Sequence, residues 1–263
     1  MLYKLKPPSL FKNCITNFFR GRVNDITATQ GSHESMVKAR YTLFAVWLGW
    51  LITAAGRQVS DIVKTEMETA LHLNNELEIS LVIDLSFWIG YIVTALLLGI
   101  LSDRIGRRKI IFLSLLLFSI PTGLIAISTP ETFVIIRFFQ GLGVGGFFPV
   151  AVALLGDLNA VENRAKAVGR FVAGGVFGAI IGWLASGVAN DFLGSWRLGF
   201  VIFVPPIIGV AIFNYFFVEE SPVIKEKPVD VEQASALETI RSMLKNKFLI
   251  IALLFCALDL FSL

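Results

Sequence analysis

The stretch Gly99-Ile-Leu-Ser-Asp-Arg-Ile-Gly-Arg-Arg-Lys109 decides the fold, because it sets four cations, one acid and two glycines between two apolar runs. These runs, residues 81–98 and 110–127, are each close to the ~20 residues that an α-helix needs to cross a bilayer. Lys and Arg at the ends of membrane helices stay on the cytoplasmic side. The sequence therefore predicts a short cytoplasmic loop between two transmembrane helices. We expect Gly106 to adopt a positive φ in this turn, with Asp103 facing the neighbouring arginines.

The composition excludes an ordinary soluble domain. Of 263 residues, 55% are hydrophobic and 16% are charged, with 23 Phe, and the mean hydropathy is +0.73. The net charge of +3 is small and its cations cluster in connectors, which indicates topology signals rather than a nucleic-acid interface. Cys14 and Cys256 lie far apart, so neither a disulfide framework nor a metal site is predicted. No hydrolytic triad or phosphate loop is present in the sequence, so we predict no enzyme activity and no cofactor.

The apolar runs predict an all-α integral membrane protein with six spans, at about 41–60, 80–101, 110–128, 132–155, 168–189 and 197–217. Residues 1–38 are predicted to form a cytoplasmic tail, 39–217 a six-helix bundle and 218–247 a cytoplasmic linker. Within the linker, residues 233–247 fit an amphipathic helix on the membrane face or, equally well, a solvated linker helix. Residues 248–263 are expected to begin a seventh span that is cut short, so the chain is expected to be a fragment.

The cations predict the orientation in the cytoplasmic membrane. With the N-terminus inside, nineteen Lys and Arg fall in inner segments, whereas Lys64 and Arg197 are the two in outer loops. The loop after the first span is acidic, which agrees with an outer position. The sequence therefore predicts a cytoplasmic N-terminus and a cytoplasmic 99–109 loop.

Three motifs resemble those of the major facilitator superfamily. Residues 99–109 resemble the signature loop between helices 2 and 3 of that family. Arg137-Phe-Phe-Gln-Gly-Leu-Gly-Val-Gly-Gly146 resembles its helix 4 motif, and 156–164, from Gly-Asp-Leu to Glu-Asn-Arg, is a weaker match in the next inner loop. Trp196-Arg197 and Glu220-Ser-Pro222 also lie where the family often has them. The resemblance covers about residues 38–263 and implies the first half of a six-plus-six transporter.

For the first motif, the resemblance implies a gate at the inner ends of the helices. The residues that carry it over are Gly99, Asp103, Arg104, Gly106, Arg107 and Arg108. Asp157 or Glu162 in the next inner loop is the expected acidic partner, and Arg164 belongs to the same loop motif. The alternative is that these charges only enforce topology.

Arg137 is the most informative single charge. An arginine inside an apolar helix is costly and should face the bundle interior with a partner or a wet cavity. The resemblance links this position, with Gln140 and Gly141 of the same motif, to proton coupling. Asp84 is the expected partner, and Arg57 is expected at a similar level to attract an anionic group of the solute. The alternative places Arg57 and Asp84 merely at the outer interface.

Glycines and prolines give further expectations. Glycines repeat at intervals of four, at 141 and 145 and at 174, 178 and 182, which predicts close helix packing. Four prolines, Pro121, Pro149, Pro205 and Pro206, are expected either to kink their spans or to be tolerated in them. Drug–proton antiporters of the resembled family usually have a Gly-Pro pair in helix 5, and residues 174–182 have none, which lowers but does not exclude an efflux role.

The resemblance implies a secondary transporter that works by alternating access. The first interpretation is proton-coupled uptake of a small solute, with protons, the lipid bilayer and a second six-helix half as partners. The first alternative is a proton-coupled efflux antiporter. The second, from another class, is a membrane sensor or scaffold that keeps the fold without transporting.

Overall fold

The computed structural model describes residues 30–71 and 80–222. They belong to a compact unit, Met1–Lys225, and no strand occurs within these two ranges. Most of the predicted tail, nearly all of the linker after residue 222 and the predicted seventh span lie outside the described residues. The two described ranges therefore cover most of residues 39–217, the region for which a six-helix bundle is predicted.

The described part contains eight α-helices and two short turns of other helical types, in the following order. They are α1 (Gln30–Ile62), α2 (Lys64–Ala70), a π-helical turn (Ser80–Leu85), α3 (Ser86–Ile105), α4 (Arg107–Leu124), a 3₁₀ turn (Ile125–Ile127), α5 (Pro130–Leu158), α6 (Val161–Leu193), α7 (Trp196–Val201) and α8 (Val204–Phe217). The all-α prediction is confirmed. We call the end that holds Gly106 the inner end and the opposite end the outer end.

Five helical segments of the described ranges are long and apolar enough to cross a membrane. They are Val82–Ile105, Arg107–Ile127, Pro130–Leu158, Val161–Ala189 and Trp196–Phe217, and they coincide with the second to sixth predicted spans. The first predicted span, 41–60, lies within α1, which extends beyond it at both ends. Helix α1 is less apolar than these five segments, since its outer third carries Arg57, Gln58 and Asp61.

Glycines let the helices pack closely. Helix α3 packs along α5, and α1 packs along α6. A Cβ atom at Gly141 would lie 1.9 Å from the carbonyl oxygen of Phe87, and one at Gly178 would lie 2.1 Å from that of Leu51. Both distances are far below van der Waals contact, so only glycine fits. The predicted role of the glycine repeats in packing is confirmed at these positions.

Two clusters of buried side chains form the core. The inner cluster of apolar residues includes Phe147 and Phe171, and the outer one includes Phe87, Phe118 and Phe200. Helix α4 packs against α5 and α8 between these clusters. The polar groups described below border this packed apolar frame, and Arg107 and Arg137 are buried in it.

Proline interrupts the sixth span. Helix α7 ends at Val201 and α8 begins at Val204, followed directly by Pro205 and Pro206. These prolines lack the N–H groups that would bond back to Val201 and Ile202, and the helical hydrogen bonding is interrupted here. Pro121 and Pro149, by contrast, lie inside the unbroken helices α4 and α5. Of the two alternatives for Pro205 and Pro206, the structure has the interruption.

Candidate functional site

The turn between α3 and α4 forms as predicted around Gly106. Its φ is +111°, a value that L side chains rarely adopt. A Cβ atom there would lie 2.6 Å from Oε2 of Glu220. The Glu220 carboxylate accepts hydrogen bonds from the backbone N–H of Arg107 (2.8 Å) and of Arg108 (3.3 Å). These are the first N–H groups of α4, which have no partner inside the helix, so Glu220 caps its positive end.

Arg107 joins three helices at the inner end. Its Nη2 lies 3.3 Å from Oδ1 of Asp103 in α3, and its Nη1 lies 3.0 Å from Oδ2 of Asp157 in α5. The residue is 8% exposed. The contact with Asp157 is one of charge, because Nη1 lacks the geometry of a hydrogen bond. Pairing in such a partly buried position is worth more than on an open surface.

The segment after α8 closes over the same point. The N–H of Glu219 donates to Oγ1 of Thr42 in α1 at 2.9 Å, and the Ser221 hydroxyl donates to the Asp157 carboxylate. Three consecutive residues, 219–221, therefore contact α1, α4 and α5. We call the group Asp103, Arg107, Asp157, Glu220 and Ser221 the inner polar cluster.

The structure chooses between the two expected acidic partners. Asp157 pairs with Arg107, whereas Glu162 is exposed at the start of α6. Arg164 donates from Nε to the carbonyl oxygen of Asn159 at 3.2 Å and thus supports the α5–α6 loop. Glu162 is separated from the inner polar cluster because it begins the next helix.

The remaining residues of the first motif are arranged around the cluster. The Arg108 guanidinium lies 4.7 Å from the centre of the Tyr215 ring, in a cation–π contact with α8. Arg104 is exposed. A Cβ atom at Gly99 would meet no atom of the described residues within 4 Å. Within the described ranges, Gly99 and Arg104 therefore contribute no contact to the inner polar cluster.

Sequence reasoning assigned no role to Glu220. The Glu220-Ser-Pro222 match was noted, but nothing in its spacing indicated that the carboxylate reaches residues 113 positions earlier. The sequence did contain one indication of this role. Glu220 directly follows the sixth span, so it is expected at the same membrane face as the cationic loop.

The second polar group surrounds Arg137 near the outer end. Arg137 is 2% exposed. It donates from Nε to the Ile83 carbonyl oxygen (3.0 Å), from Nη1 to Oε1 of Gln140 (2.7 Å) and from Nη2 to Oγ of Ser60 (3.0 Å). Its guanidinium lies 5.1 Å from the centre of the Phe87 ring. The predicted inward orientation is present, and each of the three guanidinium nitrogens has a partner.

Further bonds extend this group across the bundle. Gln140 donates from Nε2 to Oγ1 of Thr122 in α4 at 2.9 Å, and the Ser60 hydroxyl donates to the Arg57 carbonyl oxygen at 2.8 Å. We call Ser60, Ile83, Thr122, Arg137 and Gln140 the Arg137 network. It connects α1, the π-helical turn, α4 and α5.

The expected direct partner of Arg137 needs correction. Asp84 lies within electrostatic range of Arg137, as do Asp61 and Arg57, but the acceptor from this turn is the Ile83 carbonyl. A neutral carbonyl satisfies the donor without the cost of burying a carboxylate beside it. Asp84 itself is half-buried. Arg57 and Asp84 therefore act on Arg137 through their charges, and no direct bond joins Asp84 to Arg137 within the described residues.

The sequence profile of the Major Facilitator Superfamily matches residues 46–263 of this chain. The chain belongs to this superfamily. The inner polar cluster and the Arg137 network contain the charged residues of the two motifs, 99–109 and 137–146, by which the sequence resembles the superfamily.

Individual members of the superfamily support the same fold. The chain is 33% identical over 202 residues to a triacylglyceride transporter of Mycobacteroides abscessus, covering 76% of this chain and 39% of that protein. It is 30% identical over 220 residues to the multidrug resistance protein MdtG of Proteus mirabilis, covering 82% and 53%. Among solved structures, a bacterial homologue of the human lysosomal transporter Spinster matches with a TM-score of 0.62 at 22% identity, covering 76% and 47%.

This chain thus spans about half the length, or less, of the superfamily members it matches. The relatives named here are transporters or resistance proteins, and none is named as an enzyme. The membrane, multi-helix and transporter-family predictions are confirmed at this level.

Proposed function

We propose that this chain forms a six-helix half of a secondary transporter, which moves a small solute across the cytoplasmic membrane by alternating access and uses protons to drive uptake. The N-terminus is on the cytoplasmic side in this proposal. The observation that carries it is the burial of Arg107 between Asp103 and Asp157 at the inner end.

The inner polar cluster has the properties of a gate. Its contacts join the ends of α3, α4 and α5 to the segment after α8. If these charges served only to fix topology, each could lie in water without a partner. The burial of Arg107 instead favours a role in holding the inner ends together in one state. Such contacts are few and polar, so they can be exchanged for water when the helices separate.

The Arg137 network supports proton coupling. Arg137 is a fixed positive charge held by neutral groups, and the Asp84 and Asp61 carboxylates lie within its electrostatic range. Protonating either carboxylate changes the charge balance around Arg137 without breaking its hydrogen bonds. In this proposal Asp84 carries the proton and Arg57 attracts an anionic group of the solute.

Efflux by proton antiport is the second candidate, favoured by the similarity to a protein named for multidrug resistance. The absence of a Gly-Pro pair in residues 174–182 argues for uptake as the first choice. A sensor or scaffold that keeps the fold differs from both, because it needs neither the inner polar cluster nor Arg137 to exchange partners.

The test is transport by the full-length protein in proteoliposomes with an imposed pH gradient. Labelled sugars, organic acids, amino acids and cationic dyes serve as the solute panel. We expect one class to accumulate when the outer side is acidic, and Asp103→Asn and Arg137→Gln to abolish this accumulation while the protein stays folded. Glu162→Gln is the matched control. Exchange of solute against protons would favour the antiporter, and gradient-driven movement that persists in both variants would contradict the proposed gate and coupling site.

A further inference from the structure

Arg108 at the start of α4 faces α8 rather than the inner polar cluster. Consecutive residues leave a helix about 100° apart, so Arg107 enters the cluster and Arg108 turns aside from it. The Arg108 guanidinium lies 4.7 Å from the centre of the Tyr215 ring. Phe112, one turn further along α4, also packs on this ring, with centroids 5.0 Å apart. A cation and two aromatic rings therefore form the inner end of the junction between α4 and α8.

The positive charge of Arg108 is not paired with an acid of the described ranges. Its guanidinium is half-buried and has no ion pair there. The acids of the inner polar cluster contact other groups: Glu220 accepts from the backbone N–H groups of Arg107 and Arg108, and the other two pair with the Arg107 side chain. Lys109 is exposed and also lacks an ion pair among the described residues. Two adjacent cations are therefore available at this end of α4.

Two exposed apolar stripes lead away from these cations, one on each helix. They are formed by Leu113 and Ile120 on α4 and by Ile208, Ile212 and Tyr215 on α8. Each stripe extends over seven residues, or about 10 Å, along one face of its helix. Both helices belong to segments that are long and apolar enough to cross a membrane. Within a bilayer, such stripes are covered by lipid tails or by another helix.

From this combination we propose that the inner ends of α4 and α8 bind an anionic phospholipid. Its phosphate accepts hydrogen bonds from the Arg108 guanidinium and lies near Lys109, and its tails cover the two stripes. A lipid of this kind matches both the cations and the stripes, whereas the apolar side of another helix matches the stripes alone. Tyr215 holds the guanidinium at the level of the headgroups, where aromatic rings of membrane proteins collect. This binding goes beyond the proposed transport and does not depend on it.

Native mass spectrometry of the purified full-length protein, titrated with phosphatidylglycerol, tests this inference. Phosphatidylcholine with the same acyl chains is the comparison, because its ammonium group offsets the phosphate charge. We expect phosphatidylglycerol to bind at least about tenfold more tightly than phosphatidylcholine. Arg108→Gln and Lys109→Gln should each weaken the binding of phosphatidylglycerol about fivefold, and the two together should remove the preference for it.

The ring of Tyr215 provides a second, independent variant. Tyr215→Leu removes the contact that holds the Arg108 guanidinium, so it should weaken the binding of phosphatidylglycerol about two- to fivefold. Tyr215→Phe keeps the ring and should keep most of the affinity. Equal losses in these two variants would contradict the part assigned to the ring.

A matched control lies on α6. Lys166 and Arg170 are exposed cations one turn apart, near the start of this helix and at the same end of the bundle. Lys166→Gln combined with Arg170→Gln removes as much charge as the double variant on α4, but it should keep the preference for phosphatidylglycerol. Equal losses in both double variants would reveal only general attraction to anionic lipid and would overturn the proposed site.

Two further results would overturn the proposal. One is a retained preference for phosphatidylglycerol after loss of both Arg108 and Lys109. The other is binding of neither lipid, which would indicate that another helix covers the stripes. If Arg108→Gln does not fold, Lys109→Gln keeps the test available, because this side chain is exposed. The experiment measures no transport, so each of these failures leaves the proposed function standing.

Discussion

Arg137 is buried and donates hydrogen bonds to three structural elements, through Ser60, Ile83 and Gln140. A lysine keeps the charge but ends in a single nitrogen on a flexible stem, which cannot reach all three acceptors. We expect Arg137→Lys to lower the free energy of unfolding by about 2–4 kcal/mol, because buried acceptors lose their donor. Unfolding in detergent, followed by tryptophan fluorescence, measures this change. Arg164→Lys, at an exposed residue near the start of α6, should have little effect, and equal losses in both variants would contradict the role of the network.

The inner polar cluster makes a separate prediction at the residue scale. Asp157→Asn keeps the shape but removes the charge that faces Arg107. Taking that contact as worth about 1 kcal/mol, the inner end should open about fivefold more often. A cysteine at Ser102, a residue that is 2% exposed, reports such opening through its rate of alkylation. Glu162→Gln should leave that rate unchanged, whereas the same increase in both variants would show that Asp157 has no specific part.

The sequence predicted which charged residues matter, but not all of the groups that they contact. The charges of Asp103 and Arg107 were found because they stand between apolar runs. The part played by Glu220 depends on where the chain returns after the sixth span, and no local pattern contains that distance. The Ile83 carbonyl was missed for a different reason: every residue has a carbonyl, so a side-chain pattern cannot single one out, and Asp84 beside it was the visible candidate.

At the scale of helices, close approach is enforced by particular glycines, and α6 offers a matched pair. A Cβ atom at Gly182 would lie 2.3 Å from the carbonyl oxygen of Ala55 in α1, whereas one at Gly187 would meet nothing in the described residues within 4 Å. We expect Gly182→Ala to destabilise the protein by about 1–3 kcal/mol through forced separation of α1 and α6. Gly187→Ala should be neutral or stabilising, by up to about 1 kcal/mol, because alanine favours the helix. Thermal unfolding of the two variants decides the matter, and equal effects would contradict the packing argument.

The helices themselves were predictable because a span needs a long apolar run, and such runs are visible in the sequence. The ends of the helices were less predictable: α1 already includes Gln30, well before the apolar run starts, since polar residues also form helix. The break before Pro205 follows from the missing N–H of proline. The π-helical turn at Ser80–Leu85 has no comparable sequence signal, yet it provides the carbonyl that Arg137 uses.

On the scale of the whole molecule, helix α5 connects the two polar groups. Arg137 and Asp157 are twenty residues apart on it, which is about 30 Å, the thickness of the hydrocarbon core. Thr122 of α4 belongs to the outer group, and Arg107 of the same helix belongs to the inner one. A rearrangement that separates the inner ends must therefore tilt or shift helices that also hold the Arg137 network. This provides a physical route by which charge changes at one membrane face could reach the proposed gate at the other.

The proposed coupling links an outer charge site to a cytoplasmic gate only if the inner polar cluster lies on the cytoplasmic side, as the distribution of cations predicts. The structure offers two exposed reporters at opposite ends, Arg104 in the last turn of α3 and Glu131 in the first turn of α5. In a background with Cys14→Ser and Cys256→Ser, we expect a membrane-impermeant maleimide to label Glu131→Cys in intact cells. Arg104→Cys should react only after the membrane is opened, because its loop faces the cytoplasm. Labelling of Arg104→Cys in intact cells, with Glu131→Cys protected, would reverse the orientation and place the proposed gate on the outer face.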